Sequence, residues 1–363
     1  MSSYFERMAG EWRERAREMA EWVQLRMVNR TDVWGRYLAA KYRRDREGAR
    51  QDAITAPFRE ERGKVFLGVS SLEKHFKTRD VGGVLGLHSM SVDLTSRWLA
   101  IDIDLHDEDD LSVSPQGNFA AAQGWRAELA ASGGDPLLLD SNGVGGFHVL
   151  LLLAEPMETA SVHGFGKQLV GDYERRGLDA EPELFPNSPT WDHYGNWLRL
   201  FGRHHTRQHY TRVWNDEPWA ESAWLDGHDA IDRILRTVPL APDLAERLGM
   251  RPARRTICLD FDGVIHSYRS GWCGAEIIPD PPIHGSREAI QQLRKRFRVV
   301  VHSARCATDA GCAAVKAWLV RHGLEVDEVC RFKPPAAIYV DDRAVPFRGD
   351  WAATISEIHA FRK

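Results

Sequence analysis

The chain has 363 residues, is 43% hydrophobic and 28% charged, and carries a formal charge of −4, so it exceeds one ordinary core and reads as two globular domains. That charge excludes bulk basicity as a basis for nucleic-acid binding, which must then rest on local patches. From Arg251 onward 18 basic residues face 13 acidic ones, whereas the preceding chain holds 30 and 39, so the basic balance lies at the C-terminal end. No apolar run approaches the length of a membrane span, so no membrane contact is expected.

Residues 1–62 read as a helix-rich region. Within it, "EWRERAREMAEWVQLRM" is an amphipathic helix with a solvated charged face, packing on the domain that follows. Glu6 and Glu11 stand among Arg7 and Arg13, which argues against a signal or transit peptide. A cytoplasmic location is the expectation.

Residues 63–240 mix strand patterns with helices. In "WLAIDIDLHD" (98–107), Leu99, Ile101, Ile103 and Leu105 fall on one side of an extended chain. Trp98, Ala100, Asp102, Asp104 and His106 fall on the other, giving a strand with an apolar back and an acidic front. Asp107, Glu108, Asp109 and Asp110 follow directly. Like charges so close repel, and two carboxylates on one strand face make a clamp for divalent cations, as two-metal nucleotidyl transfer requires. "LLLDSNGVGGFHVLLLL" (137–153) then sets a Gly-rich turn before a strand that opens at His148, a place where backbone N–H groups approach a phosphate. The stretch 181–214, "EPELFPNSPTWDHYGNWLRLFGRHHTRQHYTRVW", gathers Arg199, Arg203, Arg207 and Arg212 with His204, His205 and His209. Trp191, Trp197, Tyr210 and Trp214 are interleaved, a composition suited to phosphates and stacked bases. The histidines also suggest zinc, but no cysteine or well-spaced fourth ligand accompanies them.

Together DID, SNGVGGFH, ELFPN and GNWLRLFGRHH resemble the catalytic core of an archaeo-eukaryotic primase, of the primase-polymerase kind found in plasmids, phages and bacterial conflict systems. The resemblance covers roughly residues 80–215. It implies an α+β core with an RRM-like sheet, with Asp102 and Asp104 as ligands for Mg²⁺ or Mn²⁺. His148 would contact the phosphates of an incoming nucleoside triphosphate, and Arg199, Arg203 and His205 would lie near the triphosphate or the template. Glu183 is the choice for the third acid, with Glu181 and Asp192 as rivals. Gly146 stands where the family usually has a small hydroxyl residue, and Phe201 where a proline is frequent.

Residues 241–255, the end of a proline-bearing stretch with a basic close (237–255), read as a linker. From Thr256 short apolar runs alternate with helices, the pattern of a parallel α/β sheet over 256–363. "TICLDFDGVIHS" ends its run at Asp260 and continues to Asp262, "FRVVVHSAR" leads to Ser303 and Arg305, and "AAIYVDDRAVPF" leads to Asp341 and Asp342. Lys333 precedes the third run. Strands buried on both faces read this way, and open α/β sheets bind ligands off their carboxyl ends. Asp260 is positioned as a nucleophile able to take a phosphoryl group, with Asp262 as proton donor to the leaving oxygen. Ser303 and Lys333 would bind phosphoryl oxygens, and Asp341 with Asp342 would complete an oxygen site for Mg²⁺. The five cysteines all lie after residue 257 without a CxxC pair, which fits a reducing compartment.

DFDGV, VVVHSAR, FKP and YVDDRA, in that order, resemble the four motifs of the haloacid-dehalogenase superfamily of phosphohydrolases over about 110 residues. A Rossmann-like fold, Mg²⁺ dependence, phosphate-monoester hydrolysis, metal ligation by Asp260 and Asp262, and phosphate contact by Arg305 are what that resemblance implies. Some 35 residues separate the first two motifs, too few for a large cap domain, so the site is expected to admit bulky substrates such as a polynucleotide end. The reading is a nucleic-acid enzyme, on DNA or RNA, that joins a primase-polymerase-like nucleotidyltransferase to a phosphatase. In the alternative, the first domain only binds nucleic acid or nucleotide.

Overall fold

The computed structural model describes residues 2–38, 53–57, 66–104, 114–190, 195–216, 223–334 and 336–361. The acidic run 107–110, His106, Trp191 and Asp192 lie outside them. Helices and sheets are mixed throughout, antiparallel sheets in one compact unit (1–253) and a parallel sheet in the other (254–363), an α/β architecture. The N-terminal helical stretch and the first domain of the sequence reading fall within the same compact unit.

The first unit opens with helices α1 (Ser2–Glu14) and α2 (Ala16–Arg26), then strands β1 (Val33–Tyr37) and β2 (Ala53–Pro57), helix α3 (Val69–Lys77) and strands β3 (Leu85–His88) and β4 (Thr95–Ile103). Helix α4 (Pro115–Ala131), strands β5 (Leu137–Asp140) and β6 (Phe147–Glu158), helix α5 (Thr159–Val170) and strands β7 (Glu183–Phe185), β8 (Trp197–Arg199), β9 (Arg212–Trp214) and β10 (Trp224–Leu225) follow. Helices α6 (Gly227–Leu235) and α7 (Pro242–Arg247) close the unit. One sheet runs β2-β1-β3-β8, and a larger one runs β10-β9-β5-β6-β4-β7.

Strand β4 sits between β6 and the short edge strand β7 in the larger sheet, and its alternation is real but has a different meaning from the one expected. Leu99, Ile101 and Ile103 pack with Trp125 and Leu129 of α4 and Val162 of α5. Trp98 and Ala100, on the face read as the acidic front, pack with Trp12, Met19 and Val23 of the first two helices. The indole N–H of Trp98 donates to the Met27 carbonyl at 2.8 Å. Both faces of the sheet are therefore covered, and only the end of the strand carries carboxylates. Each fully buried Trp or Leu here contributes on the order of 2 kcal/mol by leaving water. Helix α4 begins where Ser114 accepts a hydrogen bond from the Gly117 N–H at 3.1 Å and Pro115 takes the first turn, a standard start signal.

The second unit holds β11 (Arg255–Asp260), α8 (Ser286–Arg294), β12 (Phe297–His302), α9 (Asp309–Arg321), β13 (Glu328–Cys330), β14 (Ile338–Val340) and α10 (Trp351–Ala360). All pairings are parallel in the order β13-β12-β11-β14. Ile257 and Leu259 pack with Val299, Val301, Trp318 and Leu319. The third apolar run departs from its expected burial: Ile338, Tyr339 and Val340 remain 39–43% exposed. Strand β14 is the sheet edge, paired with β11 alone, and Trp351, Ile355 and Ile358 of α10 are also exposed.

Candidate active sites

The register of the larger sheet builds the first site. Asp102 on β4 stands directly opposite His148 on β6 and Glu183 on β7, so three chemically able side chains form a row across adjacent strands. His148 Nε2 lies 3.2 Å from Asp102 Oδ1, an ion pair when the imidazole is protonated. Glu183 accepts from Asn196 Nδ2 at 3.0 Å, whose Oδ1 in turn accepts from Ser89. Glu181 pairs with Lys167, whereas Glu183 is the acid in register with Asp102.

A cavity of about 450 Å³ opens off this row. Asp102, Asp104 and Glu183 line it together with Arg199 and Arg207. Arg199 is 8% exposed; its Nη2 donates to the Ser141 carbonyl at 2.5 Å, and its Nη1 has no hydrogen-bond partner among the described residues. Burial pushes its guanidinium pKa down, opposed by Tyr37, Asp102, Asp104 and Asp140. A buried cation with an open donor is costly unless an anion completes it. Asp102 Oδ1 is likewise buried and, beyond its 3.2 Å contact with His148 Nε2, makes no hydrogen bond among the described residues. That oxygen, with Asp104 and Glu183 lining the same cavity, makes a donor set fit for a hard divalent cation.

Aromatic side chains wall the cavity. The His205 ring stacks on Tyr37 at 4.0 Å between centroids, and Trp197 meets Tyr37 edge-on at 5.5 Å. Burial pushes the Tyr37 phenol up to about 12, so it remains neutral and its ring is available as a wall. Trp197 fits because a Cβ on Gly35 or Gly86 would come within 2.1 or 2.0 Å of its ring.

The Gly-rich turn behaves differently from the expectation. Asp140 Oδ1 takes the Gly143 N–H at 2.7 Å, and Asn142 Oδ1 takes those of Val144 and Gly146 at 3.0 and 2.9 Å. Those donors serve the turn itself instead of pointing at a phosphate. A Cβ at Gly146 would meet the Asn142 amide at 2.3 Å, which accounts for glycine there. Asp140 is further clamped by Arg212 and approached by His209.

In the second unit, carboxylate oxygens of Asp260, Asp341 and Asp342 all lie within 4.8 Å of one another. They come from the ends of the neighbouring strands β11 and β14, which parallel pairing delivers to one edge. Burial, with the like charges of Asp341, Asp262 and Asp342, pushes the Asp260 carboxyl up to about 6, against the Phe261 N–H that favours its ionised form. Three such oxygens fit a hard divalent cation, which would relieve that repulsion. Gly263 is required twice over: its φ is +95°, and a Cβ would stand 2.3 Å from Asp342 Oδ2.

No protein-family model matches the chain, and no curated protein does. Among solved structures, the polymerase domain from Mycobacterium tuberculosis ligase D in complex with DNA is similar over 66% of this chain and 92% of that one, at 16% identity and a TM-score of 0.40.

Of the expected site residues, Arg203, Asp262 and Arg305 make contacts other than those expected. Arg203 is absent from the cavity lining; its guanidinium donates to the His204 carbonyl and lies 6.0 Å from the Phe5 ring. Asp262 is outside the carboxylate group, because His266 Nδ1 engages Oδ1 and Arg305 Nε engages Oδ2, each at 2.8 Å. Arg305 is fully buried, and its Nη1 donates to the carbonyls of Gly274, Ala275 and Ile277. It therefore secures a loop and Asp262 where phosphate contact was expected. Ser303 is 1% exposed and accepts from the Arg305 N–H. Lys333 is exposed, 4.3 Å from the Tyr339 ring of β14. Tyr37 carried no functional signal in the sequence, because β1 meets β3 only through distant pairing.

Proposed function

We propose that the chain joins two phosphate chemistries: a Mg²⁺-dependent phosphohydrolase in residues 254–363 and a two-metal nucleotidyltransferase in residues 1–253. The observation that carries the reading is the convergence of Asp260, Asp341 and Asp342 within 4.8 Å at the carboxyl edge of a parallel sheet. Asp260 is the nucleophile, the three carboxylates hold Mg²⁺, and the bound ion supplies charge stabilisation for the phosphoryl oxygens. Asp262 exchanges the proton with the leaving oxygen. Ser303 and Lys333 serve the phosphoryl group. No helix lies between Asp260 and Ser286, which supports an open site and a polynucleotide end as the substrate class.

In the first unit Asp102, Asp104 and Glu183 hold the divalent cations. Arg199, with His148 and His205, receives the triphosphate of an incoming nucleotide. The buried Nη1 of Arg199, without a hydrogen bond among the described residues and in the same cavity as these acids, supports that assignment. A nucleotidyltransferase and an end phosphatase belong together chemically, since only a free 3′-hydroxyl attacks the next triphosphate.

The test is metal-dependent incorporation of labelled nucleotides on a primed template, alongside phosphate release from terminally phosphorylated oligonucleotides. Asp102→Asn abolishes the first and spares the second, and Asp260→Asn does the reverse. Background-level incorporation by the unaltered protein defeats the transferase reading. A second reading, nucleotide binding without transfer by the first unit, draws on one observation: Asp102, Asp104 and Glu183 do not close to the spacing reached by the other trio. Binding of a nucleoside triphosphate that Arg199→Gln weakens, without incorporation, is its signature.

A further inference from the structure

His266 lies four residues after Asp262 in "DFDGVIHS" and has no part in the chemistry above. It is 0% exposed. Its Nδ1 engages Asp262 Oδ1 at 2.8 Å, and its Nε2, with no hydrogen-bond partner among the described residues, stands 3.8 Å from Asp280 Oδ2. Phe261 stacks on the ring at 5.4 Å, while Trp318 and Tyr268 meet it edge-on at 5.5 and 5.9 Å. The backbone is equally constrained: the His266 N–H donates to the Phe261 carbonyl, and its own carbonyl accepts from Gly263, both at 2.8 Å. Burying an imidazole costs free energy unless its nitrogens are partnered, and the contact with Asp262 supplies a partner in one fixed orientation. The packing leaves this ring little freedom to turn.

Resting on the phosphohydrolase reading, we infer that His266, backed by Asp280, is a positioning residue: together with Arg305 on the other carboxylate oxygen it holds Asp262 out of the Asp260–Asp341–Asp342 cation group, and it aims Asp262 at the leaving oxygen. In the first half-reaction Asp260 forms a bond to phosphorus, the ester P–O bond breaks, and the leaving oxygen takes a proton from Asp262. In the second, water attacks phosphorus and gives a proton to Asp262. The Asp260–phosphorus bond breaks, freeing the carboxylate and inorganic phosphate. The sum is ester plus water giving alcohol plus phosphate.

A residue that serves proton donation matters for a poor leaving group and little for a good one. The experiment therefore compares the full-length protein and its His266→Leu and His266→Asn variants with Mg²⁺ on two substrates. One is an oligonucleotide with a terminal phosphate, whose leaving group is an alkoxide; the other is dinitrophenyl phosphate, whose leaving group needs no proton. His266→Leu is expected to lower kcat on the oligonucleotide about 100-fold, the scale of general acid catalysis, while dinitrophenyl phosphate hydrolysis stays within a few-fold. His266→Asn, whose amide nitrogen stands near the Nδ1 position, recovers much of the oligonucleotide activity. Should His266→Leu fail to fold, Asp280→Asn gives the same leaving-group comparison with a smaller difference. Equal losses on both substrates, or none on either, overturn the assignment of His266 and leave the hydrolase reading standing. Absence of phosphate release by the unaltered protein from both substrates overturns the two together.

Discussion

His75 shows how one side chain ties acid sensitivity to packing. It is fully buried, its Nδ1 accepts from the Leu85 N–H at 3.0 Å, and its Nε2 faces the Phe201 carbonyl at 2.9 Å. The first bond needs a lone pair on Nδ1, so the proton sits on Nε2 and the ring is neutral. Burial, opposed by the Phe201 carbonyl, holds its pKa down to about 4 from the ordinary 6.5. The unfolded chain thus binds a proton that the folded chain refuses between those values. Stability is full above pH 6.5 and is lost as the pH falls toward 4, by about 3 kcal/mol for this group. His75→Gln, whose amide can both donate and accept, is expected to flatten that loss in urea titrations at pH 7 and pH 4.5. An unchanged pH dependence would show that other groups dominate.

At the scale of strands and turns, what the sequence reveals depends on how local the cause is. The alternation around Asp102 and the three apolar runs of the second unit were legible because period and run length are local properties. The opposition of Asp102 to Glu183 was not, because β7 is three residues long and joins β4 from some 80 positions away. Nor was the double burial of β4 legible, since a covered alternating strand looks like a half-exposed one until the helices that cover it are placed. The turn at 140–146 was legible as a turn, but its N–H groups were assigned to phosphate when Asp140 and Asn142 already take several of them. Gly86 belongs to this scale too. Gly86→Ala thrusts a Cβ against the Trp197 ring, and overpacking of this kind costs about 1–3 kcal/mol. It is also expected to weaken nucleoside triphosphate binding, because Trp197 braces Tyr37 at the cavity wall. Denaturant midpoints and nucleotide titrations check both effects, and a variant as stable as the parent contradicts the packing.

For the molecule as a whole, the apolar cores of residues 1–253 and of residues 254–363 have no residue in common. Leu319, 2% exposed in the second core, is therefore a probe of independence. Leu319→Ala is expected to remove about 2–5 kcal/mol from the second unit and to shift one calorimetric transition while nucleotide incorporation continues unchanged. A single transition shifting as a whole would mean that the two cores melt as one. The doubly covered sheet of the first unit carries a further consequence. Asp102 and His148 ride on strands shielded on both faces, where Ala100, Ile101 and Val149 are at most 1% exposed. Their amide protons are expected to be among the last to exchange with deuterated solvent. Mild urea should accordingly leave catalysis intact until that unit collapses altogether, so that inactivation and melting trace one curve.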